Sequence, residues 1–338
     1  MAEKVTIADV ARVAGVSRQT VSNALNTPEV VRPETRQRVL EVVEELGYRV
    51  NLAARQMRTG RSGLIAIRVD PVGDGINGSV FDRFLHGLTE AAAEAGHRLL
   101  LYTAADDHKE IAAFEDLLGA HEPDAFVLTS THHKDLRTSW LLERQLPFVT
   151  FGRPWSELPD VRHPWVDVDG AAGTEAATEH LLAAGHRRIA FIGWPPGSGV
   201  GDDRRLGWSR ALAGAGLDPT GLSRETDDGS VEGEDAARDL LAGDPDITAL
   251  VCASDSLALG ALQVARSPNP AWHAEAYRRI AVIGFDDTPV AKAIGLTSVH
   301  QPLTEAAARC MSLLSRALEG TPPSHLLLPP FLVVRQSA

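Results

Sequence analysis

Covalent reinforcement is almost absent from this chain. Its 338 residues include two cysteines, Cys252 and Cys310, too few and too widely spaced for a disulfide framework or a thiolate metal site, so both read as buried thiols. No apolar run is long enough to span a bilayer. The opening MAEKVTIADV lacks the hydrophobic stretch of a secretory signal, and the expectation is a cytoplasmic protein with no membrane partner. Histidines such as His132 and His133 do not recur at metal-ligand spacing, and no nucleophile, base and orienting group stand together. Neither a metal, a cofactor nor an enzymatic activity is expected. The loop Pro196-Gly197-Ser198-Gly199-Val200-Gly201 invites a dinucleotide reading. It lacks the full G-x-G-x-x-G register, and Asp202 and Asp203 bring carboxylates to where a pyrophosphate would sit.

What is present is a soluble globular composition, 44% hydrophobic and 23% charged, long enough for two or three domains. The net charge of −12 is unevenly spread: residues 1–60 carry nine Lys and Arg against seven Asp and Glu, or +2, and the remainder carries −14. A mildly basic head on an acidic body suits a phosphate-binding module joined to a body that stays off nucleic acid. Within the head, Thr6 can cap a first helix, Ile7 to Val13, with Asp9 placed to favour the helix dipole. Ala14-Gly15-Val16 makes a turn, and Ser17 caps a second helix through Asn26. Ile7, Val10, Ala11, Val16, Val21 and Leu25 form an apolar seam that turns Arg18, Gln19, Ser22 and Asn23 outward. Such side chains hydrogen-bond base edges and phosphates from a helix lying in a major groove. On these residues alone a plain helical hairpin with a polar face stays open.

Pro33 opens a third helix, carried by Val39, Val42, Val43 and Leu46 and ended by Gly47, which supplies the packing partner for the first two. Asn51 can cap the segment LAARQMR, too short to be a stable helix alone; it reads as a plain linker or as a helix ordered by a partner or DNA. From Leu64 apolar strand-like runs alternate with helical segments, from Leu64–Val69 and Arg98–Tyr102 to Ala249–Cys252 and Ile280–Gly284. The alternation predicts parallel sheets covered by helices. AEAGHRLLLY at 93–102 and LAAGHRRIAFI at 182–192 repeat one helix-to-strand junction, which suggests two similarly built lobes. Ligands of such sheets bind beyond the carboxyl ends of the strands, here in the cleft between lobes.

Taken together, VTIADVARVAGVSRQTVSNALN, RPETRQRVLEVVEELGYRVNLAARQMRTGRS, GHRRIAFIG, ASDSLALGAL, IAVIGFDDTP and SVHQP resemble the LacI/GalR family of bacterial transcription regulators, in the family's order and over nearly the whole chain. The resemblance implies an all-α helix-turn-helix head at 1–50, a hinge helix and linker at 51–61, and at 62–338 an α/β core like the periplasmic sugar-binding proteins. The two parallel-sheet lobes of that core are interleaved: lobe one at about 62–163 and 298–325, lobe two at about 164–297 and 326–338. The implied function is a sequence-specific transcriptional regulator, a repressor released from a palindromic operator by a small-molecule inducer. Its implied partners are double-stranded operator DNA, the effector and a second copy of the chain, since two heads must address two half-sites.

Carried over residue by residue, the base-reading positions fall on Arg18, Gln19 and Asn23, and the phosphate contacts on Thr6, Ser17, Thr20, Ser22 and Asn26. Met57 stands where the family's hinge usually has a leucine wedge for the minor groove, and Ala54, Arg55 and Arg58 share that groove. The family's RxxG motif appears as Arg204-Arg205-Leu206-Gly207-Trp208, which puts the effector arginine on Arg204, and the effector-binding aspartate on Asp286. Ser254 replaces a frequent asparagine, and Gly152, before Arg153, replaces a frequent aspartate; that missing carboxylate is expected to open room in the cleft.

Five of the six tryptophans lie after residue 150, and Trp155 and Trp194 directly follow strand ends. Aromatic faces under a sugar ring, with Asp and Arg on its hydroxyls, bind carbohydrate, so a di- or oligosaccharide is the expected effector, bound by Arg204, Asp286, Arg153, Ser254, Trp155 and Trp194. Trp165 and Trp208 read as packing residues. A corepressor-dependent regulator that takes a purine or other metabolite, and a sugar-binding protein that leaves DNA alone, stay as alternatives. The chain stops at Phe331–Ala338 without a leucine-rich heptad tail, so the tetramerising helix of some relatives is not expected.

Overall fold

The computed structural model describes residues 5–48, 60–69, 76, 78–155, 161–267 and 280–338. The expected hinge residues Ala54, Arg55, Met57 and Arg58 lie outside the described residues, as do Trp272 and the side chain of Asn26. Contacts divide the chain into two units, Met1–Ser62 and Gly63–Ala338.

Among the described residues the first unit has three α-helices, α1 (Ile7–Ala14), α2 (Arg18–Asn26) and α3 (Pro33–Glu45), with a 3₁₀ turn at Pro28–Val30. At the start of α1 the Thr6 amide and hydroxyl both donate to the Asp9 carboxylate, at 3.0 and 2.7 Å, and hold its pKa below the usual range. Gly15 at φ 65° supplies the left-handed residue that ends α1. Ser17 Oγ accepts the Thr20 amide at 3.0 Å and starts α2, and Pro33 stands in the first turn of α3 where its missing N–H costs nothing. Val10, Val21 and Val39 meet at the centre, fully buried.

In the second unit, β1 (Leu64–Arg68), β2 (Arg98–Tyr102), β3 (Ala125–Leu128), β4 (Phe148–Phe151), β5 (Trp165–Val168) and β11 (His325–Leu328) form an all-parallel sheet in the order β11-β5-β4-β3-β1-β2. A second sheet, β12-β10-β9-β8-β6-β7, is made by β6 (Ile189–Gly193), β7 (Ser223–Glu225), β8 (Ala249–Cys252), β9 (Ala281–Asp286), β10 (Thr297–His300) and β12 (Phe331–Val333), with β12 antiparallel to β10. The chain crosses between sheets after β5, β10 and β11. The lobe limits therefore differ from those expected: β5 stays with the first sheet, β10 with the second, and all of β11 with the first. A crossing cannot interrupt a ladder, and β5 is paired on both sides, with β4 and β11.

Ile65 and Ile67 point to one face of the first sheet, under Phe84 and Leu88 of α4 (Gly78–Glu94) and Cys310 of α12 (Leu303–Leu318). Ala66 points to the other, under Phe114 of α5 (Asp107–Ala120) and Leu141 of α6 (Leu136–Glu143). The second sheet is covered by α7 (Gly170–Ala183), α8 (Val200–Gly214), α9 (Ser230–Gly243) and α10 (Asp255–Arg266), with a short α11 (Pro289–Ile294) after β9. Both cysteines are buried, and burial raises both thiol pKa values. Among the described residues no helix is long and apolar enough to cross a membrane.

One close approach bears directly on the cleft. A Cβ on Gly207 of α8 would collide with the Ala171 carbonyl and Thr174 hydroxyl of α7, so glycine lets the two helices touch backbone to backbone. Trp208 beside it is buried against Phe191, its indole N–H donating to Ile189 O at 3.2 Å. Together they seat α8 so that Arg204, one turn earlier, faces the cleft. Gly207→Ala is expected to cost about 1–3 kcal/mol through overpacking, read as a lower urea midpoint at unchanged slope.

Candidate functional site

On α2 the buried Val21 and Ala24 fix which face is turned out. Ser17, Arg18 and Gln19 are exposed, and Thr20, Ser22 and Asn23 half-buried beside them. Gln19 Nε2 donates to Asn23 Oδ1 at 2.9 Å one turn on, and the Ser17 and Thr20 hydroxyls lie 2.9 Å apart. The amide pair is thereby ordered, with one carbonyl oxygen and one NH2 group turned to other partners. That is the donor and acceptor complement a base edge requires.

In the core, the carboxyl ends of both sheets enclose a cavity of about 300 Å³, at the small end for ligand pockets. The second sheet supplies its polar wall. Arg204 is only 6% exposed, yet its Nη1 donates to the Ala253 carbonyl and stands 3.6 Å from Asp286 Oδ1. Its guanidinium lies 3.7 Å from the Phe285 ring centroid and 5.3 Å from that of Trp194. Asp286 ends β9 at φ 109°, a conformation rare outside glycine, held in place because Gln301 Nε2 donates to its Oδ1 at 2.6 Å. Arg83 of α4 donates to the Asp286 carbonyl at 2.5 Å, joining lobe one to lobe two. Burial pushes the Asp286 carboxyl up to about 7 against the pull of Arg204, with Asp255 and Asp228 pushing the same way. Asp255, raised to about 6 by burial, accepts from Ser298 Oγ at 2.6 Å and the Thr288 amide at 2.8 Å.

The first lobe supplies an aromatic wall: Phe81, the stacked pair Phe84 and Phe151 with centroids 4.4 Å apart, and Trp155. Among the described residues, four buried polar atoms at this cavity have no hydrogen-bond partner: Arg204 Nε, Trp155 Nε1, Trp194 Nε1 and Thr129 Oγ1. Such atoms are rare in native proteins and mark where a further partner is due.

Residues 6–51 match the family model for bacterial regulatory proteins of the lacI family, and residues 178–338 that for a periplasmic binding protein-like domain. The chain is 35% identical over 341 residues to the HTH-type transcriptional regulator CelR of Thermobifida fusca, covering 98% of each. This chain belongs to the LacI family of bacterial regulatory proteins. It is 34% identical over 345 residues to the HTH-type transcriptional regulator AglR of Rhizobium meliloti strain 1021, covering 98% of this chain and 94% of that one. The solved structure of a transcriptional regulator CelR-cellobiose complex superposes with a TM-score of 0.72 at 32% identity, over 99% of this chain and 100% of the other. The family and both full-length relatives make the chain a DNA-binding transcriptional regulator, with a helical head and a periplasmic-binding-protein-like core.

In this LacI-family core, Arg204, Asp286, Trp155 and Trp194 line the cavity, and two other expected effector residues do not. Arg153 is turned aside: its Nε donates to Asp167 Oδ2 at 2.6 Å and its Nη2 to Asp203 Oδ2 at 3.1 Å, strapping β5 of lobe one to α8 of lobe two. Two carboxylates hold the fork where one neutral ligand group would compete poorly. Ser254 caps α10, accepting the Leu257 amide at 3.2 Å, and donates to Asp228 Oδ1 at 2.5 Å. It orients a lining carboxylate and does not reach the cavity itself. Gly152 does not open the expected room, because at φ 118° a Cβ there would strike Thr131, whose side chain fills the space. Arg205 pairs with Glu225 at 2.7 Å, not with Asp202 or Asp203.

Sequence reasoning missed Asp228, Gln301 and the phenylalanine wall. Gln301 was in view as part of SVHQP, and Asp228 follows β7 by three residues, the usual place for a ligand group in such a sheet. The phenylalanines carried no signal, since Phe81 and Phe84 at helical spacing look like core. Away from the cleft, Asp107, His132 and Asp135 gather ligand atoms within 4.8 Å of one another. Arg137 is buried among them, 2.6 Å from Asp135 and 3.0 Å from Glu110, so the cluster neutralises a guanidinium.

Two outcomes follow from these charges. With its carboxyl raised towards 7, Asp286 binds a proton more tightly in the folded core than in the unfolded chain. Its contribution to stability is therefore present below about pH 4 and lost as pH rises through 7. Asp286→Asn is expected to gain stability relative to the parent between pH 5 and pH 8, by on the order of 1 kcal/mol or more, measured by urea unfolding at both. Arg153→Met strips the countercharge from Asp167 and Asp203 and is expected to cost about 1–3 kcal/mol at pH 7, below the full value for a buried pair because the arginine is partly exposed.

Proposed function

We propose that this regulator is a repressor that holds a palindromic operator as a homodimer in the cytoplasm and lets go when a di- or oligosaccharide enters the cleft. The observation that carries the reading is the pairing of cavity walls. Arg204, Asp286 and Gln301 offer hydroxyl-binding groups on one side, and phenylalanine and tryptophan rings offer apolar faces on the other. The cellobiose in the superposed CelR structure supports a sugar of this size. Arg18, Gln19 and Asn23 read base edges, Arg18 most strongly if it meets a guanine. Thr6, Ser17, Thr20, Ser22 and Asn26 hold phosphates, and Ala54, Arg55, Met57 and Arg58 enter the minor groove with Met57 as the wedge. Arg204 and Asp286 grip the sugar, with Trp155 and Trp194 against its rings.

A mobility shift on the chain's own operator tests this. Arg18→Ala is expected to weaken operator binding about tenfold to hundredfold and to relax preference at one base pair of each half-site. Arg204→Ala is expected to leave operator binding intact and to abolish release by saccharide. An operator affinity that saccharide leaves unchanged in the parent protein would sink the reading, since linkage demands equal and reciprocal coupling.

A further inference from the structure

The charges around the cavity say more about the effector than its size does. Asp167, Asp203, Asp228 and Asp286 all line it, and Asp255 and Asp169 stand just behind. Against these six carboxyls stand, among the described residues, Arg204 on the lining and Arg153 and Arg83 beside it, the first two held by carboxylates. Arg204 is committed to Ala253 O and Asp286, Arg153 to Asp167 and Asp203, and Arg83 to the Asp286 carbonyl. Among the described lining residues, the atoms still lacking a partner are three N–H groups, Arg204 Nε, Trp155 Nε1 and Trp194 Nε1, and one hydroxyl, Thr129 Oγ1; Arg83 Nε, outside the lining, lacks one as well. They belong to four different side chains, each offering one group to a ligand oxygen. A phosphate or carboxylate needs several donors converging on one group together with an uncommitted cation.

Resting on the saccharide reading above, we infer that the effector is an uncharged sugar, recognised through separate hydroxyls on the lobe-two wall and through an apolar ring face on the Phe81, Phe84, Phe151 and Trp155 wall, and that the cleft rejects the same sugar once it is phosphorylated. The raised carboxyl of Asp286 is consistent with this, since a site that already disfavours its own negative charge disfavours a ligand dianion more strongly. A signal of this chemistry comes from import that delivers the sugar unmodified. Transport coupled to phosphorylation would hand the cell a form that the cleft excludes.

The test is isothermal titration of the full chain with cellobiose, maltose, sucrose and trehalose, each against its 6-phosphate, repeated with Asp228→Asn. At least one neutral disaccharide is expected to bind. Its phosphate is expected to bind about tenfold to hundredfold more weakly, and Asp228→Asn to narrow that gap by improving the phosphate. A phosphorylated sugar that binds as tightly as its neutral parent, or more tightly, overturns the inference while leaving the saccharide reading in place. Failure of every sugar in both forms overturns the saccharide reading itself. Circular dichroism of Asp228→Asn checks that the exposed loop substitution leaves the fold intact, and the parent titration decides the matter without it.

Discussion

A guanidinium keeps its charge at any pH the protein meets, so bringing one to 6% exposure is tolerable only where the surroundings stand in for most of the water it loses. For Arg204 the replacements are a carbonyl after β8, a carboxylate and an aromatic face at the end of β9, and an indole after β6. Three neighbouring strands of the second sheet must therefore end at the same level, and α8 must lie close enough to deliver the side chain. The close approach at Gly207 and the burial of Trp208 meet the second condition. The parallel order of β9, β8 and β6 meets the first. The polar wall of the cleft is in this sense a consequence of housing one arginine.

The first lobe reaches that wall through ties of a different kind. Arg153 joins Asp167 to Asp203, Arg83 joins α4 to the Asp286 carbonyl, and the Trp155 ring lies where a side chain on Gly199 would have to stand. All three link groups from different lobes, and all sit at the rim or floor of the same cavity. A ligand that bridges the two walls acts in parallel with these ties, so its binding energy bears on how the lobes are held together. An effector confined to one wall would have no such leverage, because only differential interaction with two arrangements shifts an equilibrium.

The central strands were plain in the sequence because, buried on both faces, they read as unbroken apolar runs such as ALVC at Ala249–Cys252. β7 and β11 were not, since they lie at sheet edges with half their side chains exposed, and Asp167 interrupts the apolar pattern of β5. Arg204 and Asp286 were legible because a motif carries them. Arg153 was misplaced for a reason no local pattern could reveal: its two carboxylate partners lie 14 and 50 residues away. Gly152 teaches a related point. The loss of a side chain creates space only if no neighbour claims it, and Thr131 does so from another strand's end.

The uneven charge of the chain bears on how a DNA-binding head and its attached core divide their work. Residues beyond 60 carry −14, which repels a phosphate backbone at any distance within the Debye length, about 8 Å at physiological salt. A net charge of that sign gives the core as a whole no electrostatic attraction for DNA. The head, for its part, packs around its own set of buried residues and draws its helix caps from its own sequence, Thr6 with Asp9 and Ser17 with Thr20. The outer face of α2, with Gln19 already bonded to Asn23, is ordered locally. The covalent connection between head and core includes residues 49–59, where Arg49, Arg55 and Arg58 supply three positive charges and no acidic residue opposes them.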